Sequence, residues 1–332
     1  MKTVFKIISV LTLFVIVLFD TVAQTYTLSG PLAHTFSVVA RDPATGEMAV
    51  GVQSHWFSVG TLVSWGKSGV GVVATQSFVN PAYGPEGLKL MEEGKNATEA
   101  LKSLLSSDEG RDLRQVAFLD NNGMVYTHTG KKCIAYAGHK SGLNFSVQAN
   151  MMLNDNVVPA MSKAFAENSS LPLAERVLKI LFAAQAAGGD IRGKQSAVLI
   201  VVSGEKIQQP WLDKKIDLRV DDSNEPLVEL ERLLRVHRAY EHMNNGDLAV
   251  EKNDMATALM EYDSASKMFP GNLEMKYWKA VTLANNKRID EAIPIFREIF
   301  KADSNWKELT KRLPYGGLLN LSENDMKKIN GL

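Results

Sequence analysis

Side chains able to do chemistry are sparse in this sequence, and they do not cluster along the chain. His55, His128 and His139 stand far apart, and no carboxylate follows any of them four residues on. That is not the spacing of a metal site, and a single cysteine, Cys133, cannot build a thiolate cluster. No metal and no cofactor is therefore expected. Thr35 opens a β-branched apolar run. A threonine hydroxyl is a poor nucleophile at neutral pH and needs a base beside it; by residue type alone Thr35 is an ordinary strand former. Asp190 has the place of a helix-to-strand turn residue. Asn80-Pro81-Ala82-Tyr83-Gly84 reads as a loop shaping the mouth of a cleft, with Pro and Gly setting the backbone and Tyr83 offering a ring and a hydroxyl.

The elements that must position these residues follow from periodicity and turn chemistry. Thr35 to Ala40 and Met48 to Gln53 read as a hairpin around Asp42-Pro43-Ala44-Thr45-Gly46. Thr61 to Trp65 and Gly69 to Thr75 read as a second pair. Pro85 to Leu105 is helical and broken near Gly94-Lys95-Asn96. Gln115 to Leu119 and Met124 to Thr129 flank Asp120-Asn121-Asn122-Gly123, a strong hairpin signal. Asn144 to Ala149 is a strand, Val157 to Glu167 and Leu173 to Ala187 are amphipathic helices, and Ser196 to Val202 is a buried strand. Helices come in blocks and not after every strand, so the pattern predicts an α+β fold with antiparallel sheets and helices packed outside.

From about Pro226 the pattern is helical only. Ala258 and Ala292, Tyr262 and Phe296, and Gly246 and Ala280 all recur at one offset of 34 residues, and Pro270 closes the first unit. That period resembles the tetratricopeptide repeat, a helix-turn-helix module. The polar stretch Pro210 to Pro226 reads as a linker or an edge strand. The expected organisation is 1–23 as a signal peptide, 34–205 as the sheet domain, 206–226 as linker and 227–332 as the helical module. Tyr240, Met243, Tyr277 and Trp278 would leave apolar surface wet on a free module, which predicts that the module docks on the first domain or on another copy.

The 332 residues carry 37 basic and 37 acidic side chains, so net charge is zero. No electrostatic footprint for nucleic acid or an anionic membrane exists. With 45% hydrophobic residues the chain can offset its own entropy and fold. Met1 to Lys6 holds two lysines, and Ile7 to Phe19 is apolar except for Ser9 and Thr12. Thirteen residues cover ~20 Å as a helix, short of the ~30 Å of a bilayer core. With Ala23 at its end this reads as an export signal cut near Ala23–Gln24, giving a secreted or periplasmic protein.

Several stretches carry a resemblance in order: Thr35 to Pro43, Gly69 to Gln76, Asn80 to Pro85, Gly138-His139, Gln148-Ala149-Asn150, and Gln185 to Ser196. Together they resemble the family named domain of unknown function 1028, over about residues 34 to 203. That family is placed in the N-terminal-nucleophile (Ntn) hydrolase superfamily, with proteasome-like relatives. The resemblance implies a four-layer αββα sandwich and a nucleophile whose base is its own free α-amine, with a pKa near 8. It assigns Thr35 as that nucleophile, Asn150 as an oxyanion donor and Asp190 as an acid close to the threonine amine. Ser54, His55, Gln76, Asn80, Tyr83, Gln195 and Ser196 are expected to line the substrate cleft. The proteasome-type acid and lysine are missing: Val52 to His55 has no acid, and Thr61 to Trp65 has no lysine.

Cleavage at Ala23 leaves Gln24 to His34 ahead of Thr35. Activity then requires a second cut between His34 and Thr35, by attack of the hydroxyl on its preceding carbonyl, with His34 able to carry a proton. The expected function is an exported amide (C–N) hydrolase acting on a small amide-containing substrate. The helical repeats would take a protein or peptide partner, and a homo-oligomer is expected. The competing expectation is a non-catalytic binding scaffold with a repeat docking module.

Overall fold

The computed structural model describes residues 32–332. The expected signal peptide 1–23 and residues 24–31 lie outside the described residues. The described strands form two antiparallel sheets. The first contains β1 (Leu32–Ala33), β4 (Ser64–Lys67), β5 (Gly71–Phe78), β6 (Arg114–Asp120) and β7 (Val125–Thr129). Its order is β1-β5-β6-β7, and β4 also pairs with β5. The second runs β11 (Lys214–Val220), β10 (Ser196–Val202), β3 (Met48–Ser54), β2 (Thr35–Arg41), β9 (Phe145–Ala149) and β8 (Gly138–Gly142).

Side-chain alternation decides what each face meets. On the second sheet Phe36, Val38, Ala49, Leu199 and Val201 turn outward, where α3 (Val157–Glu167) and α4 (Leu173–Ala186) cover them. Val39, Val50, Val52, Val198 and Ile200 turn inward and meet Val72, Ala74, Ala117 and Leu119 of the first sheet. The outer face of that sheet, Val73, Val116 and Phe118, is covered by α1 (Tyr83–Glu92) and α2 (Ala97–Ser107). The break between these two helices falls where expected. Gly94 takes φ +103, and Asn96 then starts α2 with a reciprocal capping box to Glu99.

The stretch expected as a linker over 206–226 holds β11, which pairs with β10 from Ala197↔Val220 to Val202↔Lys214. Its Ile216 and Val220 turn outward and are buried in the layer under the helices, so the polar composition is that of an edge strand with one wet face. The strand expected over Thr61 to Trp65 is shifted: Val59–Thr61 is a turn of 3-10 helix, and β4 follows.

The rest of the chain is helical: α5 (Pro226–Glu251), α6 (Met255–Met268), α7 (Leu273–Asn285), α8 (Ile289–Ala302), α9 (Asn305–Arg312) and α10 (Glu323–Asn330). The first turns of α5 belong to the sheet body. Leu227, Leu230 and Leu234 are buried in the core under α4, and Arg238 makes a two-pronged ion pair with Glu175 of α4 at 2.9 and 3.0 Å. Its later turns pack on α6 through Ala239, Met243 and Tyr262. The starts of α6 and α8, Met255 and Ile289, are 34 residues apart. Ala258 and Ala292 are buried at matching places in those helices, as are Tyr262 and Phe296. Met243 and Tyr277, expected to be wet on a free module, are buried inside the helical region itself. Tyr240 stays exposed and donates its hydroxyl to Glu274 at 2.6 Å.

Candidate active site

The register of the second sheet puts three hydroxyls in one row on its inner face. Thr35 at the start of β2 faces Ser54 at the end of β3, and Ser54 faces Ser196 at the start of β10. Thr35 is fully buried. Its Oγ1 has two acceptors in reach, the Ala33 carbonyl at 2.8 Å and Ser54 Oγ at 3.2 Å. Ser54 Oγ in turn donates to the His34 carbonyl oxygen at 2.6 Å. A second donor reaches the same oxygen: Arg192 Nη2 at 2.9 Å. The carbonyl of the bond that joins His34 to Thr35 is thus held by a hydroxyl and a cation.

Arg192 is placed by Asp190. The carboxylate accepts Arg192 Nε at 3.0 Å and Nη2 at 2.7 Å, and it also accepts the Arg192 main-chain N–H at 2.9 Å. A fork-on-fork pair fixes the plane of the guanidinium as well as its distance. Gly189 at φ +61 and Gly193 at φ +114 allow the chain to fold this tightly around the pair. The Asp190 carboxylate is fully enclosed. A buried carboxylate of this kind is tolerable because its counter-ion and donors are fixed.

The other side of Thr35 is held by amides. Its carbonyl accepts Gln76 Nε2 at 2.9 Å and the Asn150 main-chain N–H at 3.2 Å. Gln115 sets how these amides point. Its Nε2 faces the carbonyls of Gly138 and Ala149 and the Thr129 hydroxyl, so it must be the nitrogen. Its Oε1 can then only accept, from Gln76 Nε2 at 2.7 Å and Asn150 Nδ2 at 2.8 Å. Asn150 is left with Oδ1 toward His34 Nδ1, at 2.7 Å. His34 therefore carries its proton on Nδ1, and Nε2 is a buried lone pair with no partner. Burial holds the imidazole below its ordinary pKa, and the Arg192 charge pushes the same way against the Asn150 bond.

The expected cleft residues divide. Ser54, Gln76, Asn150 and Asp190 converge on Thr35 or on its neighbours, and His55 joins them through its main-chain N–H, 3.4 Å from Asp190 Oδ2. Ser196 shares the row but donates to the Trp56 carbonyl and accepts from the Val59 N–H, so it anchors the loop after β3. Gln195 bonds outward to Asp222 at 3.1 Å. Asn80 and Tyr83 are placed apart. Asn80 Oδ1 closes its own turn on the Ala82 N–H, and Tyr83 donates to Asp108, which is paired with Arg114. They line a separate hollow of about 190 Å³ with Glu86, Leu104 and Asp108. Arg192 and Gln115 are site residues that the sequence reading missed. Gln115 carries a visible signal, a glutamine inside an apolar strand. Among the described residues no group of His, Cys, Asp and Glu converges as a metal site.

A family model described as a family of unknown function, DUF1028, matches residues 35–230. The chain belongs to the DUF1028 family. The family match opens on Thr35 itself and closes inside α5, so it takes in β11 and the turns of α5 packed on the sheet body. Among solved structures, this DUF1028 protein is similar to protein SPO2555 from Silicibacter pomeroyi, whose crystal structure carries the same family assignment. The two are 29% identical, with a TM-score of 0.55 over 61% of this chain and 88% of that one. No curated protein matches.

Proposed function

We propose that this DUF1028 protein is a self-processing hydrolase of amide C–N bonds, with Thr35 as nucleophile once it becomes a chain terminus. The observation that carries the reading is the grip of Ser54 and Arg192 on the His34 carbonyl oxygen, with the Thr35 hydroxyl joined to it through Ser54. Thr35 Oγ attacks the His34 carbonyl carbon. Its proton passes to Ser54 Oγ, which hands its own proton to the carbonyl oxygen, while Arg192 stabilises charge that develops there. The C–N bond then breaks, and the Thr35 nitrogen takes the hydroxyl proton as the carbonyl re-forms. Water hydrolyses the resulting ester, freeing a His34 carboxylate and a Thr35 with both hydroxyl and α-amine.

In the processed enzyme that amine is the base, with a pKa near 8 suited to neutral pH. Ser54 and Arg192 then serve a substrate's carbonyl as they served His34. Asn150 was expected to hold the oxyanion, but its Nδ2 is taken by Gln115. Arg192 is the better donor, and Asn150 holds Thr35 and His34 in place. Asp190 acts through Arg192.

In this reading the two sheets and their outer helices are the αββα sandwich of the Ntn hydrolases. The 34-residue helix pairs are tetratricopeptide-like repeats that dock a protein or peptide. The apolar run Ile7 to Phe19 supports export from the cytoplasm.

Intact-mass analysis of the purified protein tests the proposal. A species beginning at Thr35 is expected, and Thr35→Ala should abolish it. Recovery only of chains that retain His34 overturns the reading. One feature favours the scaffold alternative: Thr35 and His34 are sealed from solvent. A bond that stays closed leaves a binding protein.

A further inference from the structure

We propose that the edge of β5 at Ser77–Phe78 is the substrate's acyl-side binding site, and that it takes an extended peptide-like chain. This rests on the processing reading above, because the edge opens only when the residues ahead of Thr35 depart.

One edge of β5 is taken by β6 from Gly71 to Ser77. The other is shared. β4 covers Gly71 to Ala74, and the Thr75 N–H is bonded to the Val63 carbonyl at 3.0 Å. Beyond that point the cover is β1, in the register Leu32↔Phe78 and Ala33↔Ser77. Ser77 stands at φ +74, a left-handed backbone that a non-glycine residue adopts only where surroundings enforce it. Removal of Leu32 to His34 uncovers this kinked edge, where the Phe78 carbonyl keeps its bond from Arg114 Nη1 at 2.7 Å. Such an edge accepts a strand of the same geometry.

The departing segment is the shape of the first product, so its surroundings describe the subsites. The Ala33 side chain is wholly enclosed, which calls for a small residue there. The next position lies between the Phe78 ring, edge-on at a centroid distance of 6.1 Å, and Asn150 Oδ1. Gln115 turns that Oδ1 into an obligatory acceptor, so the site favours a flat side chain carrying an N–H donor. The scissile carbonyl then meets Ser54 and Arg192. The chemical class is an amide whose acyl part is a peptide or a close mimic: small residue, donor-bearing residue, reacting carbonyl.

The test uses the processed full chain and a fluorescein-labelled peptide of residues 24–34, read by anisotropy. Binding is expected to weaken about ten-fold or more when the residues standing for Leu32 and Ala33 are N-methylated, since that removes the strand pairing. Replacing the terminal His by Leu should weaken it comparably. Acetyl-Leu-Ala-His-p-nitroanilide should be cleaved faster than acetyl-His-p-nitroanilide. A processed protein that binds the N-methylated and parent peptides equally, or neither of them, overturns this inference alone. Absence of any chain beginning at Thr35 overturns the processing reading, and this one with it.

Discussion

Removing one hydroxyl separates a catalytic site from a structural knot. In Ser54→Ala the His34 oxygen loses the donor at 2.6 Å and keeps Arg192 at 2.9 Å. Thr35 Oγ1 keeps the Ala33 carbonyl at 2.8 Å but loses its path to the His34 oxygen. In the ground state the change removes one neutral hydrogen bond from a site that stays paired, a cost of about 1 kcal/mol. For a chain of this size that is a melting shift of about 2 °C. In the transition state the same oxygen carries developing charge, and one lost donor costs about 3 to 4 kcal/mol, or roughly 10² to 10³ in rate. The two magnitudes do not overlap. The assay follows the fraction of chains cut between His34 and Thr35 by intact mass over time, beside a thermal melt of the uncut form. A Ser54→Ala protein that melts within a few degrees of the parent and is cut within about three-fold of its rate would refute the reasoning. The carbonyl grip would then be packing.

Acid should loosen the uncut chain in a specific way. His34 has its folded pKa below the ordinary 6.5, so the unfolded chain binds more protons in that window. Its contribution is complete above pH about 6.5 and is lost as pH falls toward the folded value. Melting of Thr35→Ala should drop between pH 7 and 5, and adding His34→Gln should flatten part of that slope; the rest includes His139, lowered by its own burial. Equal slopes for the two proteins would remove His34 from the account. In the helical region, a Cβ at Gly246 would sit 2.5 Å from the Tyr262 ring, whose hydroxyl is tied to Asp247. Gly246→Val should therefore lose at least about 1 kcal/mol despite better helix propensity, measured by urea unfolding; unchanged stability would contradict the packing described.

Local chemistry made much of the fold readable. The Asp120-to-Gly123 turn, the break at Gly94-Lys95-Asn96 and the apolar periodicity of Val157 to Glu167 each determine structure within a few residues. β8 was missed because Gly138-His139-Lys140-Ser141-Gly142 has no apolar alternation; it is an exposed strand, held by its pairing to β9. The site was readable only where a strand end announced it. Thr35 and Ser54 mark the ends of two neighbouring strands. Arg192 gives no such sign, because it meets a carbonyl 158 residues earlier in the chain. Asn80 and Tyr83 were drawn to the cleft by loop composition. That composition reports a turn and says nothing of the direction in which it faces.

The 26 residues of α5 run without interruption from the sheet body into the helical region. At ~1.5 Å per residue this is a strut of ~39 Å, seated at one end by Leu227, Leu230 and Leu234 and at the other by Met243. A tethered module searches for its target, and its reach is a matter of probability. A strut has a bearing instead. Anything gripped by the far helices is carried at a set distance and a set angle from Thr35, so the geometry of that cargo, more than its affinity, decides whether it can ever meet the threonine.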